Sequence, residues 1–92
     1  MKMEPGMQLQ KPMVHSNGTS RDALVEQYCD AGAAISKAIR ALEAAYPNGR
    51  DYYPLGSEAL KRATDEHNER IKALVRVREE LEALAEYVAD FA

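Results

Sequence analysis

The residues best suited to recognition chemistry lie in one short polar segment between two prolines. The segment supplies one fork-shaped cation, one carboxylate and two amphipathic rings, namely Arg50, Asp51, Tyr52 and Tyr53. Arginine and tyrosine dominate binding hot spots, so these four residues form the predicted partner-binding site. In the alternative interpretation, the two tyrosines cover the open end of a helical hairpin while the two charged residues pair or cap a helix.

Metal and nucleophilic chemistry have weaker candidates. His67 has acidic neighbours in sequence, but they face different sides of a helix, and Thr64 stands where a di-iron Glu-x-x-His motif needs its glutamate. Cys29 lies within a predicted helix, without a helix N-terminus or cationic cluster that would activate its thiol. We therefore predict no catalytic residue, no metal site and no cofactor. His67 is interpreted as a seam residue hydrogen-bonded to a group of the first helix, such as Ser36, or to a loop carbonyl, and a metal or acid–base site there is the alternative.

Two apolar stripes with alternating steps of three and four residues predict two long amphipathic helices. The first stripe comprises Leu24, Tyr28, Ala31, Ile35, Ala38, Leu42 and Ala45. The second comprises Leu60, Ala63, His67, Arg70, Leu74, Val77, Leu81, Leu84, Val88 and Phe91. Pro47, Pro54 and an Asn-Gly pair interrupt helical geometry between them. The sequence therefore predicts an all-α fold, a two-helix antiparallel hairpin.

The predicted organisation is a flexible N-terminal tail over residues 1–18 and a helical hairpin over residues 19–92. Within the hairpin, the first helix covers about residues 20–45, the loop covers 46–56, and the second helix covers about residues 57–90. Thr19 or Ser20 suits the N-cap of the first helix, and Asn48-Gly49 suits a tight turn. Because the second helix is longer, it is expected to extend past the first by about two turns at its C-terminal end.

Two alanine-rich helices in a chain of 92 residues bury little apolar area, so dimerisation or the N-terminal tail is expected to complete the fold. A stripe of small residues on the first helix would let a second backbone approach closely. The predicted interface of a homodimer combines this stripe with the C-terminal apolar residues, namely Cys29, Gly32, Ser36, Leu84, Val88 and Phe91. In the alternative interpretation, the stripe is only a small and partly wet face.

The charge pattern limits the partners. A net charge of −3 disfavours a general nucleic-acid or anionic-membrane binder, and no apolar run approaches the ~18 residues of a membrane span. The N-terminal residues lack the apolar run of a signal peptide, and one cysteine fits a reducing compartment. The second helix does carry a basic half between Lys61 and Arg78, so a nucleic-acid-associated protein is the alternative from another class.

Two segments carry a resemblance to a known group. HSNGTSRDAL (residues 15–24) and PNGRDYYP (residues 47–54), with Glu66-His67 downstream, resemble segments of small phage- and prophage-encoded proteins of Gram-negative bacteria. The resemblance covers residues 14–90 and implies a setting, the cytoplasm of a bacterial host. In that setting, short acidic helical proteins often act by binding: they block a host complex, assist assembly or regulate another phage protein. We therefore expect a non-enzymatic module that binds or inhibits a host or antiviral-defence complex.

Overall fold

Two long helices and a short one make up the described part of the chain. The computed structural model describes residues 9–91; residues 1–8 of the predicted tail and residue 92 of the predicted hairpin lie outside this part. The elements are α1 (Arg21–Ala44), α2 (Gly49–Tyr52), a 3₁₀ turn (Tyr53–Leu55) and α3 (Ser57–Phe91). Residues 9–91 contain no strand, which confirms the all-α class. The predicted loop holds a helix of its own, so the chain is not a plain two-helix hairpin.

Polar side chains and glycine define the ends of these helices. α1 begins where the Ser20 hydroxyl accepts a hydrogen bond from the Ala23 amide at 3.2 Å, which is one of the two predicted caps. The Asn48 side chain accepts from the Arg50 amide at 2.9 Å and so starts α2 instead of forming the predicted tight turn. Gly56 has φ of +97°, a left-handed conformation that favours glycine, and α3 starts at the next residue.

α1 and α3 pack side by side in antiparallel orientation. The Leu42 carbonyl near the end of α1 accepts a hydrogen bond from His67 Nε2 at 2.6 Å. One and a half turns earlier along α1, Ser36 Oγ accepts from Arg78 Nη1 at 3.1 Å, further along α3. The C-terminal part of α3 therefore lies against α1, as an antiparallel pair requires.

The longer helix extends past the shorter one at the end opposite to that predicted. Since Leu42 is level with His67 and α1 ends two residues later at Ala44, residues 57–64 of α3 lie beyond the end of α1, over about two turns. α2 and the 3₁₀ turn pack against α3 there. The predicted C-terminal extension is wrong because the connection, with its own helix, occupies the first turns of α3. Val88 is fully buried and Leu84 half-buried, whereas Phe91 is exposed.

The buried faces differ from the predicted stripes by part of a turn. Buried or half-buried positions recur along α1 at Val25, Tyr28, Gly32, Ile35, Ile39 and Leu42. Along α3 they recur at Leu60, Thr64, His67, Ile71, Leu74, Arg78, Leu81, Ala85 and Val88. Six predicted stripe members are instead exposed, namely Ala31, Ala38, Ala45, Arg70, Val77 and Phe91. Alanine gains little from burial, so the orientation that buries isoleucine is favoured over one that buries three alanines.

The described part of the predicted tail lies against the C-terminal turns of α3. The Lys11 ammonium is 5.8 Å from the centroid of the Tyr87 ring, within the range of a cation–π contact. A shallow groove at this place is lined by Lys11, Pro12, Met13, Val14, Tyr87 and Phe91. The N-terminal segment thus contacts the apolar end of α3 in a single chain.

The core between the helices is thin. Among residues 9–91, only Ile39, Val88 and His67 are almost completely shielded from solvent. Half-buried side chains make up the rest of the interface, as expected for a small chain with a two-helix core. Within the described residues, no helix combines the length and the apolar character needed to cross a membrane.

Candidate functional site

The four residues of the predicted partner-binding site lie on α2 and at the start of the 3₁₀ turn, but they differ in exposure. Arg50 and Asp51 are exposed, and Tyr52 is half-buried. Tyr53 has 75% of its surface exposed. One tyrosine ring therefore packs against the molecule, and the other extends into solvent.

A shallow groove lies beside Tyr53, and we call it the turn groove. Its volume is about 480 Å³, and it is lined by Gly49, Arg50, Tyr53, Gly56, Ser57 and Leu60. Arg50 is the only charged residue in this lining, since Asp51 is not part of it. The structure thus brings together two of the four predicted residues, with an apolar floor formed by the first turn of α3.

Leu55 is a second large apolar residue exposed on the 3₁₀ turn, and it is not among the residues predicted from the sequence. It is 72% exposed and lies two residues from Tyr53 on the 3₁₀ turn. A signal was present in the sequence, because a leucine between Pro54 and Gly56 cannot join either helical stripe. Exposed leucines are common singly, but this one shares a three-residue turn with an exposed tyrosine.

His67 forms a closed end of the helix pair together with Leu42 and Tyr46. Its imidazole is only 6% exposed, and Nε2 donates to the Leu42 carbonyl. The Tyr46 ring packs against it with centroids 5.0 Å apart. Nδ1 lies 3.5 Å from Arg70 Nη1, a long contact in which the guanidinium donates to the ring nitrogen. The predicted role as a seam residue bonded to α1 is confirmed, with Leu42 as the partner instead of Ser36.

A second groove, the helix groove, opens between α1 and α3. Its volume is about 420 Å³, and it is lined by Tyr28, Cys29, Gly32, Ala33, Ser36, Arg78, Leu81, Glu82, Ala85 and Glu86. A methyl group built on Gly32 would have no heavy atom within 4 Å, leaving aside its chain neighbours and the helix's own backbone. The small residues therefore do not bring another backbone close within this chain, and they leave open space instead.

The residues of the predicted oligomer interface are spread over three environments. Cys29, Gly32 and Ser36 line the helix groove, with the cysteine exposed and the other two half-buried. Leu84 is half-buried and Phe91 is exposed at the end of α3. Val88 has no exposed surface in the single chain. An interface that used Val88 would have to displace the contacts that cover it.

Several basic residues of α3 have acidic partners on the same helix. Lys61 is 2.8 Å from Asp65, and Arg62 is 3.6 Å from Glu66. The hydrogen bond from Lys61 to the Asp65 carboxylate, with the attraction between their charges, raises the pKa of the lysine. Lys72 lies 3.5 Å from Glu69 in the same way. Intrahelical pairing of this kind leaves less free positive charge for a phosphate backbone, so the geometry gives no support to the nucleic-acid alternative.

Within residues 9–91, no three His, Cys, Asp or Glu side chains are placed to share a metal ion. The turn groove combines mainly apolar walls with one cation, Arg50, and with the largely exposed side chain of Tyr53.

Comparison of the chain with protein-family models, curated proteins and solved structures finds no match.

Proposed function

We propose that this chain is a non-enzymatic protein-binding module whose contact surface is the turn between α1 and α3. The observation that carries the proposal is the exposure of Tyr53 and Leu55 on one turn, next to the turn groove. Exposing large apolar side chains costs free energy that a partner recovers by covering them. A tyrosine and an arginine on one patch are also the residue types that dominate binding energy.

The backbone of this surface supports the same proposal. The Asn48 cap fixes the start of α2, and the Gly56 amide donates to the Tyr53 carbonyl at 3.2 Å. Since α2 and the 3₁₀ turn also pack on α3, the apolar side chains are presented on a backbone that is already ordered. Binding then requires little additional ordering, which lowers its entropic cost.

The biological setting follows from the resemblance to small phage- and prophage-encoded proteins. In that setting, we propose that the partner is a protein in the cytoplasm of the bacterial host, and that binding inhibits a host or antiviral-defence complex.

Self-association is a separate proposal. The helix groove offers open space along Gly32, and Phe91 exposes an apolar ring at the end of α3. A second copy could cover both, which would enlarge the thin core. Light scattering of the purified chain tests this, since a dimer has at least twice the mass of 10.2 kDa. A monomer at micromolar concentration would contradict it.

Site-specific photocrosslinking in the native bacterial host tests the binding proposal. A photoreactive phenylalanine analogue replaces Tyr53, and a matched variant carries it at Ala38, an exposed position on α1. We expect a discrete crosslinked protein from the Tyr53 position and not from Ala38. Leu55→Ser introduced into the Tyr53 probe should remove the crosslink, because it deletes the neighbouring apolar contact without touching the core.

Affinity for the crosslinked protein then provides the quantitative check. Tyr53→Ala should weaken binding by about 1 to 3 kcal/mol, the range of hot-spot residues. Tyr52→Ala should instead lower the thermal midpoint, because that ring is half-buried. If crosslinks from both probe positions are alike, or if Tyr53→Ala binds as tightly as the parent chain, the turn is not the contact surface.

A further inference from the structure

The lining of the turn groove is mainly apolar, and its one charged residue is positive. Besides Arg50, its lining consists of Gly49, Tyr53, Gly56, Ser57 and Leu60, which offer mainly apolar atoms and backbone. A methyl group built on Gly49 would lie 3.7 Å from Leu60 Cδ2, an ordinary packing distance. The first turn of α3 thus packs against α2 at the floor of the groove. The volume of about 480 Å³ lies within the range of small-ligand and side-chain pockets.

Arg50 gives this groove its charge. Its guanidinium is exposed, and no carboxylate of the described residues forms an ion pair with it. Asp51, the neighbouring acid, does not line the groove. Arginine presents a planar fork of donors that matches a carboxylate in two-point geometry, and its weak hydration suits an apolar rim.

We propose that the turn groove binds a peptide segment of the partner in which a large apolar side chain is next to an aspartate or glutamate. The apolar side chain enters between Tyr53 and Leu60, and the carboxylate pairs with Arg50. This assignment rests on the proposed function and adds the chemistry of the partner to it. Charge complementarity decides in favour of an acidic segment, because a lysine or arginine beside the anchor would face the Arg50 guanidinium.

Titration of the isotope-labelled full-length chain with three short synthetic peptides, followed by nuclear magnetic resonance, tests the proposal. The first peptide carries one phenylalanine flanked by glutamates, the second has lysines in place of the glutamates, and the third has serine in place of the phenylalanine. We expect the first to perturb the amides of Gly49, Gly56 and Ser57 with a Kd about fivefold lower than that of either control peptide. The preference for glutamate over lysine should shrink as salt is raised.

Charge reversal in the protein makes the test specific. Arg50→Glu should invert the preference between the acidic and basic peptides, whereas Arg76→Glu, an exposed arginine of α3 outside the groove, should leave it unchanged. Equal affinity for the two charged peptides, perturbation centred elsewhere, or no perturbation by the acidic peptide would each overturn the proposal. Photocrosslinking from Tyr53 does not depend on peptide charge, so the binding function can hold while this assignment of the partner fails.

Discussion

The closed end and the helix groove lie on the same pair of helices, yet one is tightly packed and the other is open. At the closed end, the Leu42 carbonyl and the Tyr46 ring enclose the imidazole of His67. In the helix groove, a methyl group built on Gly32 would have no heavy atom of another element within 4 Å. The difference shows that small residues permit a close approach of helices but do not cause it.

The large side chains on either side of the groove explain this outcome. Helix axes in contact lie about 8 to 10 Å apart, and the bulkiest residues at the interface set that distance. Ile39 and Val88 are buried at the two ends of the groove. The helices cannot come closer at Gly32, because these two side chains would then clash with the opposite helix. Arg78 reaches across the gap to Ser36 with its long side chain and fills part of it.

The largest effect is expected from removal of the imidazole at the closed end. His67→Ala deletes a short hydrogen bond and a ring contact, and it should lower the free energy of unfolding by about 3 kcal/mol. Urea denaturation of the two chains measures the difference. His67→Leu is the matched control, because it keeps most of the volume and should change stability by no more than about 2 kcal/mol. A loss below about 1 kcal/mol for alanine would mean that the closed end is not closed in solution.

The second-largest effect is expected at Val88, the fully buried residue near the C-terminal end of α3. Val88→Ala should cost about 2 kcal/mol, because it removes two methyl groups from a side chain with no exposed surface. The control is Val77→Ala on the same helix, where the side chain is 38% exposed and the loss should be below about 1 kcal/mol. Equal losses at the two positions would show that the C-terminal turns of α3 are not held against the rest of the chain.

The sequence predicts some parts of this molecule well, for physical reasons. Long helices follow from repeated spacing, their ends from a cap at Ser20 and from Pro47, and a buried His67 from its place in a stripe. The sequence predicts less well which face of each helix is buried. A stripe treats alanine and isoleucine as equally apolar, but Ile39 gains much more from burial than Ala38.

For the turn between α1 and α3, the sequence predicts where a binding site lies but not its geometry. The residue types between the prolines indicated recognition chemistry, but not which side chains share a groove. Tyr52 and Tyr53 are neighbours in sequence, and only the backbone of α2 and the 3₁₀ turn determines which one packs. Leu55 is not predicted, because a leucine outside both helical stripes indicates a loop position but not whether its side chain is exposed.

A stabilising substitution at Gly32 tests whether the helix groove is open. Gly32→Ala should raise the free energy of unfolding by about 1 kcal/mol, because alanine is the better helix former and the added methyl group meets nothing. Ala38→Gly at an exposed position of α1 is the reciprocal control and should lose about the same amount. If a second copy packs its backbone on the groove, Gly32→Ala should also weaken self-association in light scattering. A destabilised Gly32→Ala monomer would mean that the groove is closed.

The smallest effect is expected where Arg78 spans the groove. Ser36→Ala removes the hydroxyl that accepts from Arg78 at 3.1 Å. Because the groove is open to water, the guanidinium can replace that hydrogen bond with solvent, and the free energy of unfolding should fall by about 0.5 kcal/mol or less. Arg78→Met separates packing from hydrogen bonding, since methionine retains much of the apolar stem. Should Ser36→Ala alone cost more than about 1.5 kcal/mol, the donor would be cut off from water, and the helix groove would resemble the closed end.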